Sequence, residues 1–228
     1  MTTNDRCTPA SPGKLIVVDG IDGAGKSTLV RTLVEQLADR VPVLLVDKKS
    51  VDALDPVVAA RLRAVNKIVY TPDNGAPTRW GDFHWLYALG AWYHLLEECV
   101  IKPGLAAGIN IVVDNSHFKI WARFRADGLL GNVAIDSVFE TLQPPDTGLL
   151  LDLEPAVAHT RRTRFTPLES GFTGKFVDYQ SAVRRELRSL CGANDGWHRI
   201  EVDNLDSASV LEVALERVRR ICSIAGGA

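Results

Sequence analysis

The sequence of 228 residues has little sulfur: 4 cysteines and 1 methionine. Cys7, Cys99, Cys191 and Cys222 lie far apart, and no C-x-x-C pair occurs. That spacing argues against a zinc knuckle or a thioredoxin-type motif. It fits reduced, mostly buried thiols, with a cytoplasmic location as the expectation. Charge of either sign is not in excess: Lys+Arg is 26, Asp+Glu is 28, and the net charge is −2. Such a balance gives no global attraction to nucleic acid or anionic membrane, so neither is expected as a partner. Any anion this chain handles must be met by a local site. No apolar run reaches the roughly 18 residues of a membrane span. The opening MTTNDRCTPASPG lacks the apolar stretch of a secretory signal. Hydrophobic residues at 46% and charged residues at 24% exclude a wholly disordered or fibrous chain. A chain of this length buries roughly 70–75% of its unfolded surface, so it needs no disulfide or metal staple to fold.

What is present is a series of short apolar runs separated by helical periodicity. KLIVVD (14–19), a β-branched run, and VPVLLVD (41–47) read as buried strands, and INIVVD (109–114), GLLLDL (148–153) and HRIEVD (198–203) as three more strands. Leu29, Val30, Leu33, Val34 and Leu37 recur at helical spacing from Lys26 onward. Further helices are expected over 51–67, from Phe83 to Ile101 with its end before Pro103, from Pro155, over 176–190, and through Val210–Ile221. Residues 72–82 and 165–175 are punctuated by Gly, Pro and Thr and read as loops. The pattern predicts one α/β domain over 14–224, a parallel five-stranded sheet with helices on both faces. Residues 1–13 are expected to be a flexible lead and 225–228 a frayed tail.

GIDGAGKS at 20–27 fits G-x-x-x-x-G-K-[ST] and sits between a strand and a helix, the context that gives this motif meaning. Glycines let the backbone curl so that its N–H groups form an anion nest, and the following helix N-terminus adds partial positive charge. Lys26 is suited to meeting β- and γ-phosphates, and the Ser27 hydroxyl to ligating Mg²⁺. The fold expectation is therefore of the P-loop NTPase type.

Two more elements lie where such a site would form. Asp114 ends the third strand, and carboxyl ends of parallel strands line the ligand crevice. It reads as a holder of Mg²⁺ through water, as a proton acceptor, or as an ordinary cap of the next helix. Residues 161–164 read RRTR and lead into the 165–175 loop. Either they are a solvated charge run, or Arg161 and Arg164 belong to a lid over 161–175 that closes over a transferring phosphoryl group.

VVDGIDGAGKSTLV resembles the opening strand, loop and helix of the thymidylate kinase family of P-loop nucleotide kinases. HLLEECVIKPGLAAGINIVVDNS (94–116), LLLDLEPAVAHTRRTR (149–164) and VDNLDSASVLEVALERV (202–218) resemble later elements of that family in order. The resemblance covers about 14–222 and is most specific at the P-loop. It implies that Gly20, Gly23, Ala24, Gly25, Lys26, Ser27 and Thr28 hold ATP. Ser27 and Asp114 would attend Mg²⁺, Asp22 would approach the acceptor's sugar hydroxyl, and a lid arginine, Arg161 or Arg164, would be catalytic. The chain departs from the family on the acceptor side. Asn115 stands where the family's Asp-Arg-Tyr element has arginine. Lys48 stands near the place of a missing Arg-Glu-Pro-Gly-Gly stretch, and Trp92 aligns with a further arginine. Bidentate guanidinium contacts are not replaced conservatively by these residues.

Trp80, Phe83, Trp85, Tyr87, Trp92 and Tyr93 fall within fourteen residues. Such rings either stack a flat substrate, with Trp85 and Trp92 in the acceptor pocket, or pack into the core or a homodimer interface. The expected activity is transfer of the γ-phosphoryl group of Mg-ATP to a nucleoside monophosphate, with thymidylate a poor acceptor. The rival readings are a kinase of a nucleoside or other small-metabolite hydroxyl with Asp114 or Asp22 as base, and a non-catalytic nucleotide-binding protein.

Overall fold

The computed structural model describes residues 11–47, 55–70, 80–161, 164–171 and 174–222. Most of the expected lead and of the 72–82 loop, the C-terminal tail, Lys48 and Arg162 lie outside them.

Five strands form one sheet: β1 (Leu15–Gly20), β2 (Val43–Val46), β3 (Asn110–Asp114), β4 (Thr147–Asp152) and β5 (Trp197–Glu201). Their order is β2-β3-β1-β4-β5, and every pairing is parallel. All six residues of both β1 and β4 are buried, as expected for apolar strands covered on two faces. The edge strands β2 and β5 are only partly buried.

The helices are α1 (Lys26–Ala38), α2 (Pro56–Tyr70), α3 (Asp82–Leu96), α4 (Lys102–Ala106), α5 (His117–Asp127), α6 (Asn132–Phe139), α7 (Pro155–Thr160), α8 (Pro167–Ser170), α9 (Phe176–Gly192) and α10 (Ser207–Ile221). Right-handed crossovers decide which face each covers. The connection from β1 to β2 runs toward one edge of the sheet and places α1 on one face. Those from β3 to β4 and from β4 to β5 run toward the other edge and place α5 and α9 on the opposite face. Accordingly α1 packs with α10, and α5 packs with α9. The chain thus leaves the neighbouring strands β1 and β3 in opposite directions. That is the topological switch point, where open α/β sheets bind ligands.

Three elements differ from the expectation. Helix continues past Ile101: a π-helical turn at Glu97–Ile101 joins α3 to α4, and Pro103 lies in the first turn of α4. Proline breaks an α-helical ladder through its missing N–H and its clash with the preceding turn, and the wider turn accommodates both. Residues 117–143, assigned no element from sequence, contain α5 and α6. α5 buries His117 and Lys119 beside Phe118, Trp121 and Ala122, so its inward face is not a clean apolar stripe. Within the 165–175 loop, Thr166 and Glu169 form a reciprocal capping box around the short α8.

Candidate active site

The phosphate loop is built by local sequence. Gly23 and Gly25 have φ of 89° and 90°, a region that costs glycine nothing and most residues strain. Lys26 opens α1 with only 6% of its surface exposed, and its Nζ donates to the Ile21 carbonyl at 2.8 Å across the loop. One residue on, Ser27 Oγ donates to Asp114 Oδ2 at 2.7 Å. Strand register brings this about: Val18 of β1 lies opposite Asp114 of β3. A hydroxyl and a carboxylate in contact are hard oxygen donors of the kind Mg²⁺ takes, and Mg²⁺ retains several waters, so two protein oxygens fit it.

The turn after Asp114 is unusual. Asn115 is the one non-glycine residue with positive φ, 62°, among the described residues. Asparagine tolerates this conformation better than most side chains. Its Nδ2 donates to Asp114 Oδ1 at 3.0 Å. The next residue, Ser116, caps α5 by accepting from Phe118 N at 3.1 Å. Ser116 is tied in turn to the fully buried Asp19 of β1, which accepts from its N at 3.1 Å and its Oγ at 2.5 Å. Burial pushes the Asp19 carboxyl up to about 6. Asp19 therefore fixes the start of α5 relative to the P-loop, a role that its place in an apolar strand hinted at but did not specify.

A second charge cluster lies beside the loop, and sequence reasoning missed its basic half. Asp22 accepts from Lys119 Nζ at 2.5 Å and from Arg123 Nη2 at 2.6 Å, both on α5. From α9, Gln180 donates to Asp22 Oδ2 at 3.1 Å and accepts from Asp22 N at 3.2 Å. Burial alone would raise the Asp22 carboxyl, but Lys119 and Arg123 hold it well below the carboxylate range. Lys119 also donates to Asn115 Oδ1 at 3.2 Å. Burial and the neighbouring Lys26 push its ammonium down to about 7, against the pull of Asp22. The signal in the sequence was the i, i+4 spacing of Lys119 and Arg123. It could be read only once α5 was known to be a helix facing the loop.

The residues expected to form a lid stand apart from this cluster. Arg161 and Arg164 are exposed, and Arg161 Nη2 donates to the Val202 carbonyl at 3.4 Å. Two side chains tie down the described part of the chain after Arg164. Phe165 packs against Phe176 and His159, with ring centroids 4.2 and 5.0 Å apart. Gln180, the residue that holds Asp22, also donates to the Glu169 carbonyl at 2.7 Å. Trp92, placed by the sequence reading in the acceptor pocket, is one of the largest fully buried side chains and packs in the core. Its neighbour Tyr93 is the ring that reaches the site, donating to the Asn115 carbonyl at 3.4 Å. Trp85 is half-buried, edge-on to His84. Trp80, Phe83 and Tyr87 are exposed.

With this geometry in place, comparison with known proteins is informative. The thymidylate kinase family model matches residues 18–208, most of the chain. The chain belongs to the thymidylate kinase family. It is therefore a P-loop phosphotransferase of the nucleoside monophosphate kinase class. A thymidylate kinase of Dinoroseobacter shibae is 28% identical over 189 residues, covering 80% of this chain and 85% of the relative. A probable thymidylate kinase of Natronomonas pharaonis is 29% identical over 217 residues, covering 92% and 99%. One from Thiobacillus denitrificans is 29% identical over 213 residues, covering 92% and 96%. The family's phosphoryl donor is ATP, and the matched span contains the P-loop, Asp114, the α5 cluster and the lid segment. No helix among the described residues is long and apolar enough to cross a membrane.

Proposed function

We propose that the chain transfers the γ-phosphoryl group of Mg-ATP to the phosphate of a nucleoside monophosphate. In this reading the P-loop N–H groups and Lys26 hold the triphosphate. Ser27 and Asp114 would hold Mg²⁺, which would supply positive charge to the phosphate oxygens. Arg161 or Arg164 comes over the transferring group when the lid segment closes.

The observation that carries this choice of acceptor over a hydroxyl is the state of the two carboxylates. A hydroxyl acceptor needs a base. Asp22 is committed to Lys119 and Arg123 and held far below the usual range, which makes it a poor proton acceptor. Asp114 is committed to Ser27 and Asn115. A phosphate dianion is already a competent nucleophile and asks nothing of either. Asn115, standing where the family resemblance calls for arginine, supports an acceptor site remodelled away from the thymidylate pattern.

Steady-state ADP release with thymidylate, other monophosphates and free nucleosides tests the reading. Turnover of monophosphates and not of nucleosides is expected, with thymidylate below a kcat/KM of about 10⁴ M⁻¹s⁻¹, the low end of the usual enzyme range. Preferred turnover of a nucleoside would overturn the choice of acceptor. Efficient turnover of thymidylate would mean that Asn115 leaves specificity unaltered.

A further inference from the structure

Resting on the monophosphate-kinase reading, we infer that Lys119 and Arg123 of α5 are the grip for the acceptor's anionic phosphate. Asp22 is the internal anion that fills this grip until the acceptor arrives. Three observations carry it.

The first is charge. Two cations, 6% and 19% exposed at their side chains, share the single carboxylate of Asp22. Lys26 adds a third positive charge close enough to lower the affinity of Lys119 for its proton. Asp19 acts on Lys26 and Lys119, and Asp127 on Arg123, only at longer range, so Asp22 is the carboxylate that both cations contact and an anion placed between them meets two charge-assisted donors.

The second is an unmet donor. Arg123 gives Nη2 to Asp22, yet its Nε is buried with no acceptor. Guanidinium carries its N–H groups in a fixed fork that matches phosphate oxygens in pairs. An arginine using one arm on a carboxylate and leaving Nε unsatisfied is set for a larger anion.

The third is position. Lys119 touches both Asp22 on the P-loop and Asn115 at the end of β3. Asn115 is joined through Asp114 to Ser27. α5 thus places Lys119 against Asn115, where the sequence departs from the family's arginine, with Arg123 one turn further along on the same Asp22. Gln180 makes the exchange feasible. It holds Asp22 through both its amide nitrogen and its amide oxygen, so the carboxylate keeps a partner when the cations turn to the ligand.

If Asp22 gripped the acceptor's sugar hydroxyl, as the family resemblance implies, Asp22→Asn would weaken acceptor binding. If Asp22 competes with the acceptor for the same cations, Asp22→Asn strengthens it.

The experiment is calorimetric titration of thymidylate, uridine monophosphate and cytidine monophosphate, and of the three parent nucleosides. Each is titrated into the full chain saturated with a non-hydrolysable ATP analogue, with ADP-release kinetics run in parallel. Monophosphates are expected to bind the unaltered chain at least about tenfold more tightly than their nucleosides. Lys119→Gln and Arg123→Gln are each expected to weaken monophosphate binding about ten- to hundredfold. Affinity for the ATP analogue should stay within about twofold, since the donor-loop contacts are untouched. Lys119→Arg and Arg123→Lys should recover part of the loss, and they carry the test if a glutamine variant fails to fold. Asp22→Asn should tighten monophosphate binding at least about threefold. Unchanged monophosphate affinity in the glutamine variants, weaker binding in a folded Asp22→Asn variant, or equal binding of nucleosides and monophosphates would each overturn the grip. The first two outcomes, with monophosphate turnover intact, would leave the kinase reading standing. Turnover of nucleosides alone would remove both.

Discussion

The two halves of the site are held together by different kinds of contact. On the donor side the decisive bond spans five residues, from Lys26 Nζ to the Ile21 carbonyl, inside one strand–loop–helix unit. On the proposed acceptor side Asp22 is held from 97 residues away by Lys119, from 101 by Arg123 and from 158 by Gln180. A local unit needs only its own sequence to form. The acceptor cluster forms only after α5 and α9 have packed on the sheet face opposite α1. The first half should therefore respond to mutation as an isolated catalytic device, and the second as a junction between chemistry and folding.

The largest effect tests the isolation of the donor side. Lys26→Met should lower kcat about a hundred- to thousandfold, comparable to the loss of one preorganised transition-state contact of about 3–4 kcal/mol. Its unfolding midpoint should stay within a few degrees, because among the described residues Lys26 bonds to a loop carbonyl alone. A large drop in stability with intact kcat would reverse the assignment of the two halves.

Gln180→Ala should show the opposite balance. Gln180 is fully buried and bonds to Asp22 twice and to Glu169 once, so its removal leaves buried groups unpaired. That costs about 1–3 kcal/mol, or roughly 2–4 °C of unfolding midpoint per kcal/mol for a chain of this size. ATP affinity should change less than monophosphate affinity. Equal loss on both sides would show that Asp22 serves the donor loop as much as the acceptor.

A smaller, pH-dependent effect tests whether α5 is anchored independently of its charged side. His117, buried against Phe118 and Phe139, lines a cavity of about 370 Å³ with Trp121. Burial pushes its imidazole down to about 3. Between pH 6.5 and 3 the unfolded chain takes up a proton that the folded chain refuses, so stability falls as pH falls. Asp19 opposes this, because its raised carboxyl binds a proton earlier in the folded state, between about pH 6 and 4. Comparing His117→Phe with the unaltered chain cancels the Asp19 contribution. The variant's relative stability should grow by about 1.4 kcal/mol per pH unit below 6.5. Denaturant melts at pH 7, 6 and 5 measure it, and a difference independent of pH would place the His117 ring in water.

The smallest effect concerns the lid segment. Lys175 is exposed, and tryptic cleavage there should slow a few-fold when an ATP analogue and a monophosphate are both present. Equal cleavage with and without ligand would mean that Phe165 and the Gln180–Glu169 bond already hold the segment rigid.

The contrast between local and long-range contact also explains what could be read in advance. Five short apolar runs and the helical spacings between them announced the parallel sheet, because the central strands, covered by helices on both faces, must be apolar nearly throughout. GIDGAGKS announced the phosphate loop, because a glycine-rich turn between strand and helix dictates its own conformation. Asp114 was legible as a strand-end carboxylate, and strand register then brought it to Ser27. α5 was not legible, because a helix that buries a lysine and a histidine beside its aromatics loses the periodicity by which helices are recognised. Trp92 was misread for the complementary reason: a large ring in an aromatic-rich helix looks the same whether it meets a substrate or the core, and only packing put it 2% exposed while Tyr93 reached the site. The sequence by itself therefore determined the strand and helix runs and the donor loop, whose forces act between residues close in the chain. The tertiary structure alone decided which charges meet Asp22, because an ion pair between residues 97 apart exists only where the packing of two helices on a sheet brings them within hydrogen-bond reach.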